Sequence, residues 1–288
     1  MTVKITKPEI NIREKINELD KPSGIAGEAM LRAETPQEQF DLVGAGRKNL
    51  IVNGSMSVAQ RGTSFTSHSG YCIDRYYGFG HTYAQIDNGD FYSLRMTYVS
   101  GTDAQIYHPV ELQEGQLEND QTYTLSFKYK SSGLPLNLEI FYREGVTGSN
   151  VVAQTSGTIL NNADTFTDFS ITFTCKGRLS SHTALNIRFG QFGGVSEVAN
   201  LQLEAGKIAT PFETRLPGEE LHLCQRYLYY VGLQGVNYKY MPCAGTIYTP
   251  SNAYTMWKYP RTMRAVPALN YSSATDFQTV SGGSVRNT

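Results

Sequence analysis

An antiparallel β-sandwich is the fold this sequence predicts, and three observations lead to it. Apolar and polar residues alternate along several short stretches, Gly, Asn, Ser and Pro separate those stretches, and Tyr outnumbers Trp by 19 to 1. Side chains on a strand point alternately to opposite faces, so alternation marks a strand with one buried and one wet face. Repeated strands of this kind, divided by turn residues, stack as two layers. Charged residues make up only 18 % of the chain, against about 25 % in an ordinary soluble domain.

The clearest stretch opens at Tyr123. Tyr123, Leu125, Phe127 and Tyr129 fall on one side, and Thr124, Ser126, Lys128 and Lys130 on the other. The pattern recurs over Leu138–Tyr142, Phe169–Phe173 and Leu185–Phe189 and closes with Leu201–Glu204, which reads as the last strand leaving the sheet. Earlier in the chain, Asn49–Gly54 predicts a short strand with a turn, and Gln60–Thr63 leads into a polar loop running through Gly70. Asp74–Phe79 is aromatic and strand-like, and Tyr92–Tyr98 and Ile106–Leu112 are further strands. Asp87-Asn88-Gly89-Asp90 predicts a hairpin turn with positive φ at both central residues; a calcium loop is the secondary reading of the same residues.

Three regions follow: a helical amino-terminal arm over 1–47, the sandwich over 48–215, and a helix plus small β-rich module over 216–288. In the arm, Ile12, Ile16 and Leu19 share one helical face. Thr35-Pro36-Gln37-Glu38 is a capping box with proline at the first helical position; its short helix ends near Gly44 and offers Phe40 and Val43 as apolar contacts. Helices of two or three turns are marginal alone in water. They must pack on their own β-domain, on a partner or on each other across an oligomer axis. Gly24, Gly27, Gly44 and Gly46 favour an arm, which makes Ile12, Ile16, Leu19, Phe40 and Val43 the candidate docking and oligomer residues. At the other end, Pro217–Tyr227 predicts a helix with Leu221, Cys224, Tyr227 and Leu228 on one face and its acids in the first turn, where the helix dipole favours them. The Tyr-, Thr-, Pro- and Ser-rich strands after it bury little alone and are expected to pair with the sandwich or with a neighbouring subunit.

Composition excludes several functions. A net charge of −1 and the lack of any basic run argue against a general nucleic-acid binder. No apolar run approaches the ~18 residues of a membrane span, and Met1–Pro8 lack the apolar core of a signal peptide. Synthesis in the cytoplasm without membrane insertion is expected. Cys72, Cys175, Cys224 and Cys243 form no C-x-x-C pair and read as buried free thiols; with five dispersed histidines, neither metal nor cofactor is expected. There is no G-x-S-x-G, P-loop or complete G-x-G-x-x-G. Asp74, Asp87, Asp90, Asp103, Glu111 and Asp120 could serve glycoside hydrolysis, but the sequence pairs none of them. The chain therefore reads as a binding protein rather than an enzyme. Tyr crowds the first half of the sandwich, and Tyr76, Tyr77 and Tyr107 are the candidate glycan contacts, since sugar rings stack on aromatic faces. The competing reading places such rings in the core or in cross-strand pairs. Asp74-Arg75 reads as an internal ion pair.

Several motifs occur in a characteristic succession. They are Asn49-Leu50-Ile51-Val52-Asn53-Gly54, Gln60-Arg61-Gly62-Thr63-Ser64-Phe65, Asp74-Arg75-Tyr76, Leu201-Gln202-Leu203-Glu204-Ala205-Gly206, Ala209-Thr210-Pro211-Phe212-Glu213 and Glu219-Glu220-Leu221-His222-Leu223-Cys224-Gln225-Arg226-Tyr227. Together with Gly24 to Gly46, they resemble tail-fibre and virion structural proteins of bacteriophages, including marine phages. The likeness covers most of residues 20–230. It implies a jelly-roll sandwich similar to carbohydrate-binding modules, assembly as a homotrimer, docking to other virion proteins through the arm, and contact with the host surface. Alternatives are a capsid decoration or head-fibre protein without a receptor role, or a tail enzyme that degrades polysaccharide.

Overall fold

The computed structural model describes residues 49–101, 105–155, 157–230, 244–249, 252–256, 258–269, 278–281 and 284–287. Met1–Lys48 and Asn49–Thr288 are separate units, and the architecture described belongs to the second. The arm helices and the docking role of Ile12, Ile16, Leu19, Phe40 and Val43 lie outside the described residues.

Eleven strands form one continuous antiparallel sheet. In chain order they are β1 (Ser64–Tyr71), β2 (Tyr77–Asp87), β3 (Tyr92–Thr97), β4 (Gln105–Glu111), β5 (Thr122–Gly133), β6 (Leu136–Arg143), β7 (Val152–Ala153), β8 (Thr158–Leu160), β9 (Ala163–Thr174), β10 (Ala184–Gly190) and β11 (Gly194–Ala205). Their spatial order is β7-β6-β10-β4-β2-β3-β11-β5-β9, with β1 on β2 and β8 on β6.

The sheet becomes a two-layered sandwich of the jelly-roll kind because β2 changes partners partway. Tyr77, Gly78 and Phe79 pair with β4, whereas Thr82 to Asp87 pair with β3. Gly80 lies between the two segments with φ of 70°, a backbone state that costs glycine little. Tyr83 fastens the bend: its hydroxyl donates to the Gln105 carbonyl at 2.7 Å and accepts from the Phe79 amide at 2.9 Å. One layer contributes Ile106, Val110, Leu138, Ile140, Leu185 and Ile187 to the core; the other contributes Leu94, Met96, Leu125 and Val198. Phe127 of β5 meets Phe189 of β10 edge-on, 5.1 Å between ring centroids, which closes the two layers on each other. Each fully buried side chain of this size contributes about 1.5–3 kcal/mol.

The alternating segments behave as the sequence predicts. Tyr123, Leu125, Phe127 and Tyr129 all face the core, while on the opposite side Lys128 reaches the exposed Asp168 and Lys130 the buried Glu197. Three local readings change, and two short strands go unread in the sequence. The stretch through Gly70 is a strand, β1, rather than a loop; its register slips on both sides of His68, and its mostly exposed, polar residues carry no period-two signal. Asn49–Gly54 is not a strand. Leu50 and Gly54 make single main-chain bonds to Leu203 and Leu201, and the Asn49 carboxamide takes the other contacts a ladder would make, accepting from the amides of Ile51 at 3.0 Å and Leu203 at 3.1 Å. The turn between β2 and β3 has positive φ at Gly89 but not at Asn88, because it spans four residues and closes through the Asn88 amide and Phe91 carbonyl. Finally, β7 and β8 are too short to show a pattern.

The helix α1 runs from Pro217 to Gln225. Cys224 is buried as expected, but the other buried residue is Glu220, an acid that serves the fold rather than merely the helix dipole. Beyond it, β12 (Ala244–Thr249) pairs with β13 (Asn252–Met256), and β14 (Gln278–Ser281) with β15 (Ser284–Asn287). Among the described residues these hairpins add no strand to the main sheet, the first of the two expected pairings; the second is with a neighbouring subunit.

Candidate functional site

The outward face of the β6-β10-β4 layer carries a row of rings. Tyr71 meets Tyr77 at 5.0 Å between centroids, Tyr77 meets Phe79 at 5.1 Å, Phe79 meets Tyr107 at 5.9 Å and Tyr107 meets Phe141 at 6.3 Å. Strand parity produces the row. Ile106, Ile140 and Ile187 point into the core, so Tyr107, Phe141 and Arg188 beside them point out. A cleft of about 400 Å³ opens on this face, lined by Gln105, Tyr107, Glu139, Phe141, Arg143 and Arg188, with Val151 and Thr155 at its margin. That volume suits a small-molecule or saccharide site, typically ~300–1,000 Å³.

The polar groups of the cleft are held in place by one another. Arg188 pairs with Glu139 and donates to the Gln105 side chain at 3.2 Å. Asn137 donates to the second oxygen of Glu139 at 3.2 Å, and the Tyr107 hydroxyl donates to Gln105. Arg143 donates to the carbonyls of Val146, at 2.8 Å, and Gly148, which tethers the β6–β7 loop beside the cleft. Both guanidinium groups lie over the Phe141 ring, 5.7 Å for Arg188 and 6.0 Å for Arg143. An arginine on an aromatic face gains cation–π attraction and keeps its donors in a fixed plane.

Of the three tyrosines singled out from the sequence, two belong to this face. Tyr77 is half-buried in the ring row, and Tyr107 is 4 % exposed at the cleft floor. Tyr76 is corrected: it precedes β2, is 1 % exposed, and points into the core with its hydroxyl on the Asn53 carbonyl at 3.2 Å. Sequence reasoning missed Tyr71, Phe79, Phe141, Arg143 and Arg188. The alternation in Leu138–Tyr142 and Leu185–Phe189 already placed Phe141 and Arg188 on the outward face, but nothing in the sequence brought β6 and β10 beside β4.

The carboxylates considered for hydrolysis do not converge on the cleft, where Glu139 is the sole lining acid among the described residues. Asp74 is buried against Gln60, whose main-chain and side-chain nitrogens lie 2.5 and 2.9 Å from it. Burial, offset in part by those bonds and by Arg61, raises its pKa. Asp74 and Arg75 do not pair with each other as expected; Arg75 turns instead to the Pro109 carbonyl and stacks on Tyr227, 3.6 Å from the ring centroid. Glu111 accepts from Tyr227 at 2.5 Å and from Arg226 at 3.1 Å. Asp87 accepts from the Gly89 amide in an exposed turn, and Asp103 lies outside the described residues. Among the described residues no group of three His, Cys, Asp or Glu is placed to hold a metal ion. Cys72, Cys175 and Cys224 are buried free thiols, and burial pushes Cys72 up to about 12.

A second feature is the junction in which the six successive sequence motifs meet. Asn49 donates its amide to Glu213 at 2.7 Å and its carboxamide nitrogen to the Leu201 carbonyl at 3.0 Å. The Asn53 amide donates to Glu220 at 2.5 Å, and the Asn53 carboxamide spans Val58 and Asp74. Arg215 caps the carbonyls of Asn49 and Ile51. Gln60 donates to the Leu228 carbonyl at 3.0 Å. Six stretches distant in sequence thus form one largely buried polar network that fixes where the chain joins the sandwich at Asn49 and where it departs after α1.

Fold and cleft together define a β-sandwich that carries an aromatic, arginine-flanked face. No family model and no curated relative matches the chain. Solved structures with partial likeness include a sugar-binding candidate from Bacteroides thetaiotaomicron VPI-5482, with 13 % identity over 55 % of this chain and 100 % of that one, TM-score 0.41. A xylan-binding CBM22-2 domain of Paenibacillus barcinonensis Xyn10C has 15 % identity over 50 % and 98 %, TM-score 0.37. The enzymatically active domain of tailspike protein 4 from bacteriophage CBA120 has 16 % identity over 50 % and 21 %, TM-score 0.37. Likeness at this level assigns no role to the chain.

Proposed function

We propose that this chain is a non-enzymatic phage virion protein, a homotrimeric tail fibre that docks to other virion proteins through residues 1–47 and contacts a host-surface glycan through its sandwich. The observation that carries the glycan reading is the ring row from Tyr71 to Phe141 running into a cleft whose polar groups are pre-positioned. Saccharides are held by ring stacking and by fixed donors and acceptors; Tyr71, Tyr77 and Phe79 keep ring surface open for stacking, and the cleft beside them supplies the donors and acceptors. The virion reading is supported by the motif succession, whose members are bonded to one another in the junction rather than scattered through the fold.

The test is affinity electrophoresis of the full chain through gels containing host-envelope polysaccharide. Retardation that weakens about tenfold in Tyr77→Ala is the expected result; free migration through every host polysaccharide would overturn the glycan reading. No oligosaccharide should be released during incubation. Deleting residues 1–47 should leave a folded sandwich that fails to join particles, and normal incorporation of that truncation would overturn the docking role. A solution mass equal to one chain would overturn the trimer.

A further inference from the structure

We propose that the cleft selects an acidic saccharide, one whose ring bears a carboxylate, and that Arg143 and Arg188 receive that group. This rests on the glycan reading above and specifies its ligand class. The reasoning begins with charge. Among the residues lining the cleft, two are cationic, Arg143 and Arg188, and one is anionic, Glu139. Glu139 is already engaged by Arg188 and Asn137. Arg143 makes its bonds to two neutral main-chain carbonyls, of Val146 and Gly148, so among the described residues no carboxylate offsets its charge. The cleft therefore carries one uncompensated positive charge on a protein whose overall charge is −1.

Geometry makes that charge usable. Phe141 lies on the cleft floor, 4 % exposed, with Arg188 and Arg143 each over its ring. Neither guanidinium has to be ordered when ligand arrives, because the ring and the existing bonds already hold both. Arg143 commits Nε and Nη1 to the Gly148 and Val146 carbonyls, which leaves Nη2 to meet a carboxylate, and a charge-assisted bond is about twice as strong as a neutral one. A neutral sugar could use Gln105 and the Arg188–Glu139 pair but would leave Arg143 unopposed. Glu139 acts as an internal stand-in for the ligand: it satisfies Arg188 in the empty cleft and competes with an incoming carboxylate.

The experiment is calorimetric titration of the full chain with an oligogalacturonide and with its methyl ester, which removes the charge and keeps the ring. The acid should bind about tenfold tighter, equivalent to one charge-assisted bond, and the difference should shrink as salt is raised. Arg143→Gln should abolish the difference. Because Arg143 also tethers the β6–β7 loop, Glu139→Gln provides an independent test. Removing the competing carboxylate should tighten acid binding severalfold and leave ester binding nearly unchanged, a gain that a purely structural role for the pair would not produce. Equal binding of acid and ester, or a Glu139→Gln variant that binds the acid no better, overturns the selectivity alone. Binding of neither, nor of any host polysaccharide, overturns the glycan reading beneath it.

Discussion

The main-chain amide of Asn53 donates a 2.5 Å hydrogen bond to the carboxylate of Glu220, 167 positions later in the chain. Both residues are buried, and Arg215 stands 3.5 Å from the same carboxylate oxygen. The bond fixes α1 to the first turn of the sandwich unit, and it accounts for an acid that could not otherwise be tolerated in the interior. Glu220→Ala would leave the Asn53 amide and the Arg215 charge without their shared acceptor. It should cost about 3 kcal/mol of unfolding free energy, read as a lowered urea midpoint. Glu220→Gln keeps an acceptor and should lose less.

Gly54 approaches the Leu201 carbonyl so closely that a Cβ there would stand 2.1 Å from the oxygen. Neither partner is a flexible side chain, so the backbone would have to move. Gly54→Ala should destabilise by about 1–3 kcal/mol, and the same variant should weaken the Leu201 amide bond to the Gly54 carbonyl, seen as faster amide exchange at Leu201.

Tyr83 holds β2 where it passes between layers. In Tyr83→Phe the Phe79 amide and the Gln105 carbonyl lose a partner at the bend. A loss of about 1–3 kcal/mol is expected in thermal or chemical unfolding, at nearly unchanged ring volume.

Acid stability should report on His108. Its ring is buried, with Nε2 2.8 Å from the Val52 carbonyl; burial first, and Arg75 second, pull its pKa down to about 3. In the unfolded chain the ring titrates near ~6.5. Between those values the unfolded state binds the extra proton, so stability is full above about pH 6.5 and falls as the solution is acidified, by up to about 1.4 kcal/mol per pH unit. Within and below the ordinary carboxylate range, Glu111 and Glu197 add to the loss because their carboxyls are held low despite burial, while Asp74, raised by burial, opposes it from above that range. In the window from about pH 6.5 to 4.5, His108 supplies the loss and Asp74 opposes it. Urea midpoints measured across that window should slope in the wild type and flatten in His108→Asn.

Tyr77 is half-buried in the ring row and makes no side-chain hydrogen bond that the fold depends on among the described residues. Tyr77→Ala should weaken glycan binding about tenfold, the loss of one stacking contact, while shifting the unfolding midpoint only slightly. A large stability loss with unchanged binding would mean that the row serves packing alone.

Strands with one greasy and one wet face were legible because their period is local. Tyr123 to Tyr129 and Leu185 to Phe189 declare their buried faces within a few residues, and neighbouring strands merely accept that choice. β1 was not legible, since Ser64–Tyr71 lies mostly exposed and its mainly polar residues give no apolar–polar alternation. Asn49–Gly54 reads as a strand from its apolar centre, yet the Asn49 carboxamide replaces the ladder partner. The cleft was half legible: Tyr77 and Tyr107 are aromatic residues in the expected region, whereas Arg143 and Arg188 carry no signal until β6, β10 and β4 become neighbours.

Alternation and turn residues, which act between positions two apart, determined by themselves that this chain builds an antiparallel sandwich and which side of each clear strand is buried. Only the tertiary structure decided which strands adjoin, and with that the assembly of Phe141, Arg143 and Arg188 into one cleft and of Asn53 and Glu220 into one bond. The physical reason is distance along the chain: period-two patterning is written in adjacent residues, while a site made of groups from separate strands exists only once β6, β10 and β4 lie side by side.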